Sequence, residues 1–74
     1  MSHFSPHRLK AVRMEHGLSR FKAANAFGVS EGTVLYYELG KCTPSVKSLC
    51  RIADYFGVGV EEFFDRDDGH ADAA

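Results

Sequence analysis

Side chains able to do covalent or metal chemistry are few and scattered in this 74-residue chain. The histidines are His3, His7, His16 and His70, and the cysteines are Cys42 and Cys50. A sound metal site needs three or four converging ligands, and these spacings match no zinc pattern. His3 and His7 stand four apart, but His3 falls before the first expected helix. No nucleophile–base pair is evident, and no glycine loop is placed to cradle a phosphate. The sequence thus argues against an enzyme and calls for no metal, cofactor or small-molecule substrate. Two cysteines are too few for a disulfide framework and read as reduced thiols. Cys42 falls in a polar loop and Cys50 in a helix; a bond between them requires Cα atoms within about 7 Å.

The chemistry that remains is charge. The formal net charge is −1, which hides a strong asymmetry. Residues 1–60 carry eight lysines and arginines (Arg8, Lys10, Arg13, Arg20, Lys22, Lys41, Lys47 and Arg51) against four carboxylates, a net of +4. Residues 61–74 carry Arg66 against six carboxylates, a net of −5. A basic body with an acidic end is compatible with an anion-binding face that whole-chain charge conceals. Hydrophobic residues make up 45% and charged residues 26%, an ordinary globular balance. No apolar run approaches membrane-spanning length, and Met1 to Lys10 lacks the apolar stretch of a signal peptide. The expected location is cytoplasmic, with no membrane partner.

Helices must position these charges. Ser5, Ser19, Ser30 and Ser45 stand where an N-cap accepts a bond from the first free amides. Pro6 suits the first helical position. Gly17, Gly28, Gly40 and Gly57 stand where a C-terminal glycine ends a helix. Apolar residues recur at spacings of three and four between them. The pattern predicts five helices in an all-α domain: about Pro6 to His16, Arg20 to Phe27, Glu31 to Leu39, Val46 to Phe56, and a short fifth from Val60 to Phe64. The expected core includes Leu9, Val12, Ala23, Ala24, Phe27, Val34, Tyr37, Leu49, Ile52, Ala53 and Phe56. No alternating run or Asn-Gly turn argues for a hairpin. A core this small is marginal, and a dimer is one remedy.

The informative stretch is Leu18 to Gly40. Two short helices are joined by Phe27-Gly28-Val29-Ser30, in which Gly28 permits a sharp turn, Val29 drops into the core and Ser30 caps the next helix. Ala24 is small enough to let the two helices approach. This is the geometry that places a second helix in a DNA major groove.

The chain resembles the Cro/repressor-type (XRE-family) helix-turn-helix domain from about Arg8 to Phe64. The matching pieces are R-L-K-A-V-R (8–13), G-L-S (17–19), Ala24, G-V-S (28–30), Y-E-L-G-K (37–41), P-S (44–45), I-A-D-Y-F-G-V (52–58) and E-E-F-F (61–64). Each piece is weak alone; together, in order and at family spacing, they form a strong signal. The resemblance implies a compact five-helix repressor-like domain, assigned to residues 1–66; the small and charged residues 67–74 read by composition as a flexible acidic tail. It implies a sequence-specific regulator, a repressor, that inserts the third helix into double-stranded DNA. It places Glu31, Gly32 and Tyr36 against base edges, and Arg20, Ser30, Thr33, Lys41 and Thr43 along the DNA backbone. It pairs Arg13 with Glu38 to tie the first helix to the third.

Tyr36 and Tyr37 are adjacent, so a helix points them apart. Tyr37 is expected in the core and Tyr36 at the surface. The third helix also departs from the family. Glu31 repels phosphates but can accept from cytosine N4. Gly32 offers no side chain, and Phe21, Leu35 and Leu39 are apolar where relatives are polar. If these three form a patch, the alternative is a protein-interaction module that kept the fold and lost operator binding. A homodimer on a palindromic operator is expected, built on Val60, Phe63 and Phe64 near Val58; the competing reading is that Phe63 and Phe64 cap the monomer's own core.

Overall fold

Serine begins every α-helix among the described residues. In the computed structural model, which describes residues 2–66, Ser5, Ser19, Ser30 and Ser45 accept hydrogen bonds from the backbone N–H groups of Arg8, Lys22, Thr33 and Ser48 at 3.1–3.2 Å. Each bond satisfies one amide that the helix itself leaves free, and is worth about 1 kcal/mol. The caps open α1 (Pro6–Glu15), α2 (Arg20–Phe27), α3 (Glu31–Leu39) and α4 (Val46–Phe56). Three of these run as the sequence predicts; α1 stops at Glu15, and His16 forms its C-cap.

The count of five helices needs correction. Among the described residues there are four α-helices, and Val60–Phe63 is a single 3-10 turn. Four residues cannot build a ladder of four-residue bonds; the turn is closed by Glu62 N–H donating to the Gly59 carbonyl, 3.1 Å. Phe64 is already extended. It begins β2 (Phe64–Arg66), which pairs antiparallel with β1 (Ser2–Phe4) in a two-stranded sheet. The register sets Phe4 opposite Phe64 and His3 opposite Asp65. An all-α architecture therefore holds for the body of the domain and not for its closed ends. The acidic segment 67–74 lies outside the described residues.

One core unites these elements. Leu9, Ala23, Ala24, Phe27, Val34, Tyr37, Leu49, Ile52, Ala53, Phe56 and Phe63 are all buried, with Phe4, Val12, Leu18, Val29, Val58 and Phe64 packed at its margin. Helix α2 packs on α3 and α4, while α1 packs on α3 and the 3-10 turn. Phe63 is completely inaccessible and meets Phe56 at a centroid distance of 6.3 Å. Its carbonyl accepts from Ser5 N–H at 2.8 Å, which draws the C-terminal turn onto the start of α1. Phe63 therefore cannot anchor a partner; it belongs to the monomer's core, because the turn before it swings its ring inward.

Phe63→Ala should lower the unfolding free energy by about 3–5 kcal/mol, the usual cost of emptying a buried aromatic site. Urea denaturation checks this, and a loss under about 1 kcal/mol would contradict the role assigned to Phe63.

Candidate nucleic-acid interface

The surface that matters is built by a sharp reversal between α2 and α3. Ala23, Ala24 and Phe27 face inward from α2, and Val34 and Tyr37 face inward from α3. Between them Gly28 adopts a left-handed conformation, φ 76°, which L side chains rarely tolerate. Its N–H and that of Val29 both donate to the Ala24 carbonyl, at 2.9 and 3.0 Å. The Arg51 guanidinium lies over this glycine: a β-carbon there would sit 3.0 Å from Arg51 Cζ. Arg51 Nε also reaches the Ala26 carbonyl at 3.4 Å, placing a cation at the negative end of α2. Sequence reasoning gave Arg51 no role, and no local signal could have, since it lies 25 residues from Ala26.

The orientation of α3 is fixed by an ion cluster. Arg13 on α1 donates to Glu38 on α3 through Nε (2.5 Å to Oε2) and Nη2 (3.2 Å to Oε1). Its Nη1 donates to the Leu18 carbonyl at 2.6 Å. Side-chain exposure is 9% for Arg13 and 2% for Glu38, so the pair is shielded from water and its charges are matched in a bidentate fork. Arg20 at the start of α2 joins from outside, with Nε 3.3 Å from Glu38 Oε1 and its side chain 39% exposed. The carboxylate thus gathers cations from two other helices. Arg20 Nε is committed to Glu38; its terminal nitrogens make no hydrogen bond among the described residues.

The exposed face of α3 follows from its period. At about 100° per residue, positions 31, 32, 35, 36 and 39 share one arc of about 140°. Glu31, Gly32, Tyr36 and Leu39 are exposed and Leu35 is half-buried. Tyr37 is 5% exposed and Tyr36 51%, the division that adjacency on a helix demands. Beside this arc, Ser30 Oγ serves the cap and lies 2.9 Å from Thr33 Oγ1. Lys41 and Thr43 are exposed in the loop after α3, which Lys41 N–H folds back onto the Tyr36 carbonyl at 2.9 Å. Ser30, Glu31, Gly32, Thr33, Tyr36, Lys41 and Thr43 are thus carried by α3 and the segments bordering it, while Arg20 opens α2 and meets α3 through Glu38.

Elsewhere, Val60 is 37% exposed and Phe64 half-buried. Phe21 and Leu39 are exposed by 61% and 58%. Cys42 and Cys50 are both free thiols at the surface. His3 lies on β1 and His7 on α1. His16 tilts against Phe56 with centroids 4.7 Å apart.

Two capped helices joined by a glycine turn, with the second locked by its buried carboxylate and bare on its outer face, define a helix-turn-helix domain. The helix-turn-helix family model HTH_3 matches residues 9–63. The chain is 40% identical over 57 residues to an uncharacterized HTH-type transcriptional regulator of Methanocaldococcus jannaschii, covering 77% of this chain and 86% of that protein. It is 31% identical over 55 residues to the cryptic phage CTXphi transcriptional repressor RstR of Vibrio cholerae, covering 74% of this chain and 50% of that one. A transcriptional regulator from Listeria innocua superposes with a TM-score of 0.73 at 33% identity, over 78% of this chain and 54% of that one. The chain thus spans most of the archaeal relative and about half of the other two. It belongs to the HTH_3 helix-turn-helix family.

Arg13→Ala or Glu38→Ala should each cost about 3–5 kcal/mol of stability, because the first leaves the shielded Glu38 with only the more exposed Arg20 and the second leaves the shielded Arg13 without its carboxylate. Arg20→Ala should cost well under about 1 kcal/mol, since water screens this more exposed member. A double-mutant cycle on Arg13 and Glu38 measures the coupling directly; a value near zero would show that the two charges act independently.

Proposed function

We propose that the protein is a sequence-specific, double-stranded-DNA-binding transcription regulator that acts as a repressor by laying α3 in the major groove. The observation that carries this reading is the exposed arc of α3, bounded by Arg20 on one side and by Lys41 after its end. Cations at the edges suit phosphates, which position a protein on the duplex; side chains on the arc suit base edges, which specify sequence. Arg20, Ser30, Thr33, Lys41 and Thr43 are assigned to the DNA backbone, and Glu31, Gly32 and Tyr36 to the bases. The named repressor among the relatives supports repression, which needs no more than occupation of a promoter. Such a protein works where the DNA is, and we assign it to the cytoplasm. Among the described residues no helix is long and apolar enough to cross a membrane.

The reading includes a homodimer on a palindromic operator. A single module makes few phosphate contacts, and a twofold pair reads two half-sites about one helical turn apart. With Phe63 in the core, the surface for this contact is Val60 and the exposed part of Phe64, near Val58. Glu61, Glu62 and Asp65 are exposed at the same end, and their charge keeps it away from phosphates. A second reading, a protein-interaction module, draws on the exposed Phe21 and Leu39.

Selection from a random duplex pool at low salt should enrich one palindromic consensus; no enrichment at all would favour the interaction module. Lys41→Ala should weaken binding to every duplex alike and flatten the salt dependence by about one unit. Sedimentation equilibrium should show a dimer at micromolar concentration or on the duplex. Val60→Asp should shift it to monomer, and a dimer that ignores this change would place the interface elsewhere.

A further inference from the structure

The arc of α3 is unusual in what it lacks. Its five positions hold a carboxylate, a bare backbone, two leucines and a phenol: Glu31, Gly32, Leu35, Leu39 and Tyr36. None is Arg, Lys, Asn or Gln. Guanine presents two acceptors in the major groove, N7 and O6, which a bidentate cation reads best. Adenine presents N7 beside its N6 amino group and is read by a carboxamide. This face has neither instrument. Its only side-chain donor is the Tyr36 hydroxyl, and one hydroxyl that both donates and accepts discriminates poorly.

We infer that α3 reads its operator through pyrimidines: thymine C5-methyl groups against Leu35 and Leu39, and a cytosine N4 amino group donating to Glu31. This inference rests on the DNA-binding reading above and names the bases it selects. Leu39 is 58% exposed and Leu35 half-buried on the same arc. Apolar surface in the major groove has one apolar complement, the thymine methyl. Glu31 stands in the first turn of α3, beside the cap at Ser30. A carboxylate accepts and does not donate, so guanine N7 and O6, thymine O4 and adenine N7 all oppose it. Cytosine N4 is the group that meets it without an adjoining acceptor on the same base. Gly32 beside it removes a side chain that would hold the backbone off the groove. The acidic and apolar character of the arc is thereby part of the recognition, while the cations at its edges supply the attraction to a polyanion that the arc itself does not.

The test starts from a duplex enriched in the random selection. Replacing its thymines one at a time by deoxyuridine removes a methyl group and nothing else. At each contacted thymine affinity should fall about fourfold, the worth of one buried methyl. In Leu39→Ala, a change at an exposed position, that penalty should vanish at one thymine, and in Leu35→Ala at another. Repeating the selection with Glu31→Gln should move one position from C·G toward A·T, since glutamine both accepts and donates. Deoxyuridine that is harmless at every position, or a penalty that persists in both leucine variants and so reports duplex stiffness, would overturn the methyl contacts. An unchanged consensus with Glu31→Gln would overturn the cytosine contact. In either case the enriched duplex still stands as evidence of DNA binding. A selection that enriches nothing overturns both readings together.

Discussion

The buried carboxylate of Glu38 is the constraint on which the rest of the domain depends. It sits at the inner edge of α3 with 2% of its side chain exposed, where an unpaired charge would be prohibitive. Arg13 relieves that cost with a bidentate fork from α1 and uses its remaining arm on the Leu18 carbonyl, in the segment leading to α2. One guanidinium thus fixes α1, the entry to α2, and α3 relative to one another. Ion pairs of this kind contribute little net stability against an apolar alternative. What they contribute here is angle: the fork is satisfied in one arrangement of the helices, and that arrangement turns residues 31, 32, 35, 36 and 39 outward.

Arg20 changes how this lock meets the surface. It touches the buried carboxylate from the solvent side, so the lock and the outer face of α2 are one electrostatic unit. A phosphate drawn to the Arg20 terminal nitrogens would approach the same guanidinium that faces Glu38. On the proposed reading, docking on a polyanion and the orientation of α3 would be coupled through this one side chain. The family resemblance assigned Arg20 to the DNA backbone but gave no sign of its contact with Glu38, because that contact spans 18 residues.

That difference describes what is legible in this sequence generally. The helices were readable because their signals are local: each serine cap, each following glycine and each apolar triplet lies within a few residues of what it determines. The opposite facings of Tyr36 and Tyr37 follow from the helical period alone. The closure of the chain's ends was not readable. Strands β1 and β2 are three residues each, too short to show alternation, and they meet across the whole length of the domain. Phe63 illustrates the same limit. Four apolar residues crowded into Val58–Phe64 invited the idea of a partner surface, yet the 3-10 turn buries Phe63 and leaves Val60 outside. Arg51 over Gly28 belongs here too, a long-range contact with no local trace.

Helix α3 shows why the outer face is free to carry unusual chemistry. It has nine residues, fewer than an isolated helix needs in water, and Gly32 weakens it by about 1 kcal/mol more. Its order therefore comes from outside: the Ser30 cap, the burial of Val34 and Tyr37, and the Glu38 lock. None of these uses positions 31, 32, 35, 36 or 39. A helix stabilised wholly by its inner edge and its ends leaves its outer arc uncommitted to the fold. On the proposed reading, substitutions there would change what the domain recognises at little cost to its folding, and Glu31, Leu35 and Leu39 can occupy the arc because the helix is held in place without them.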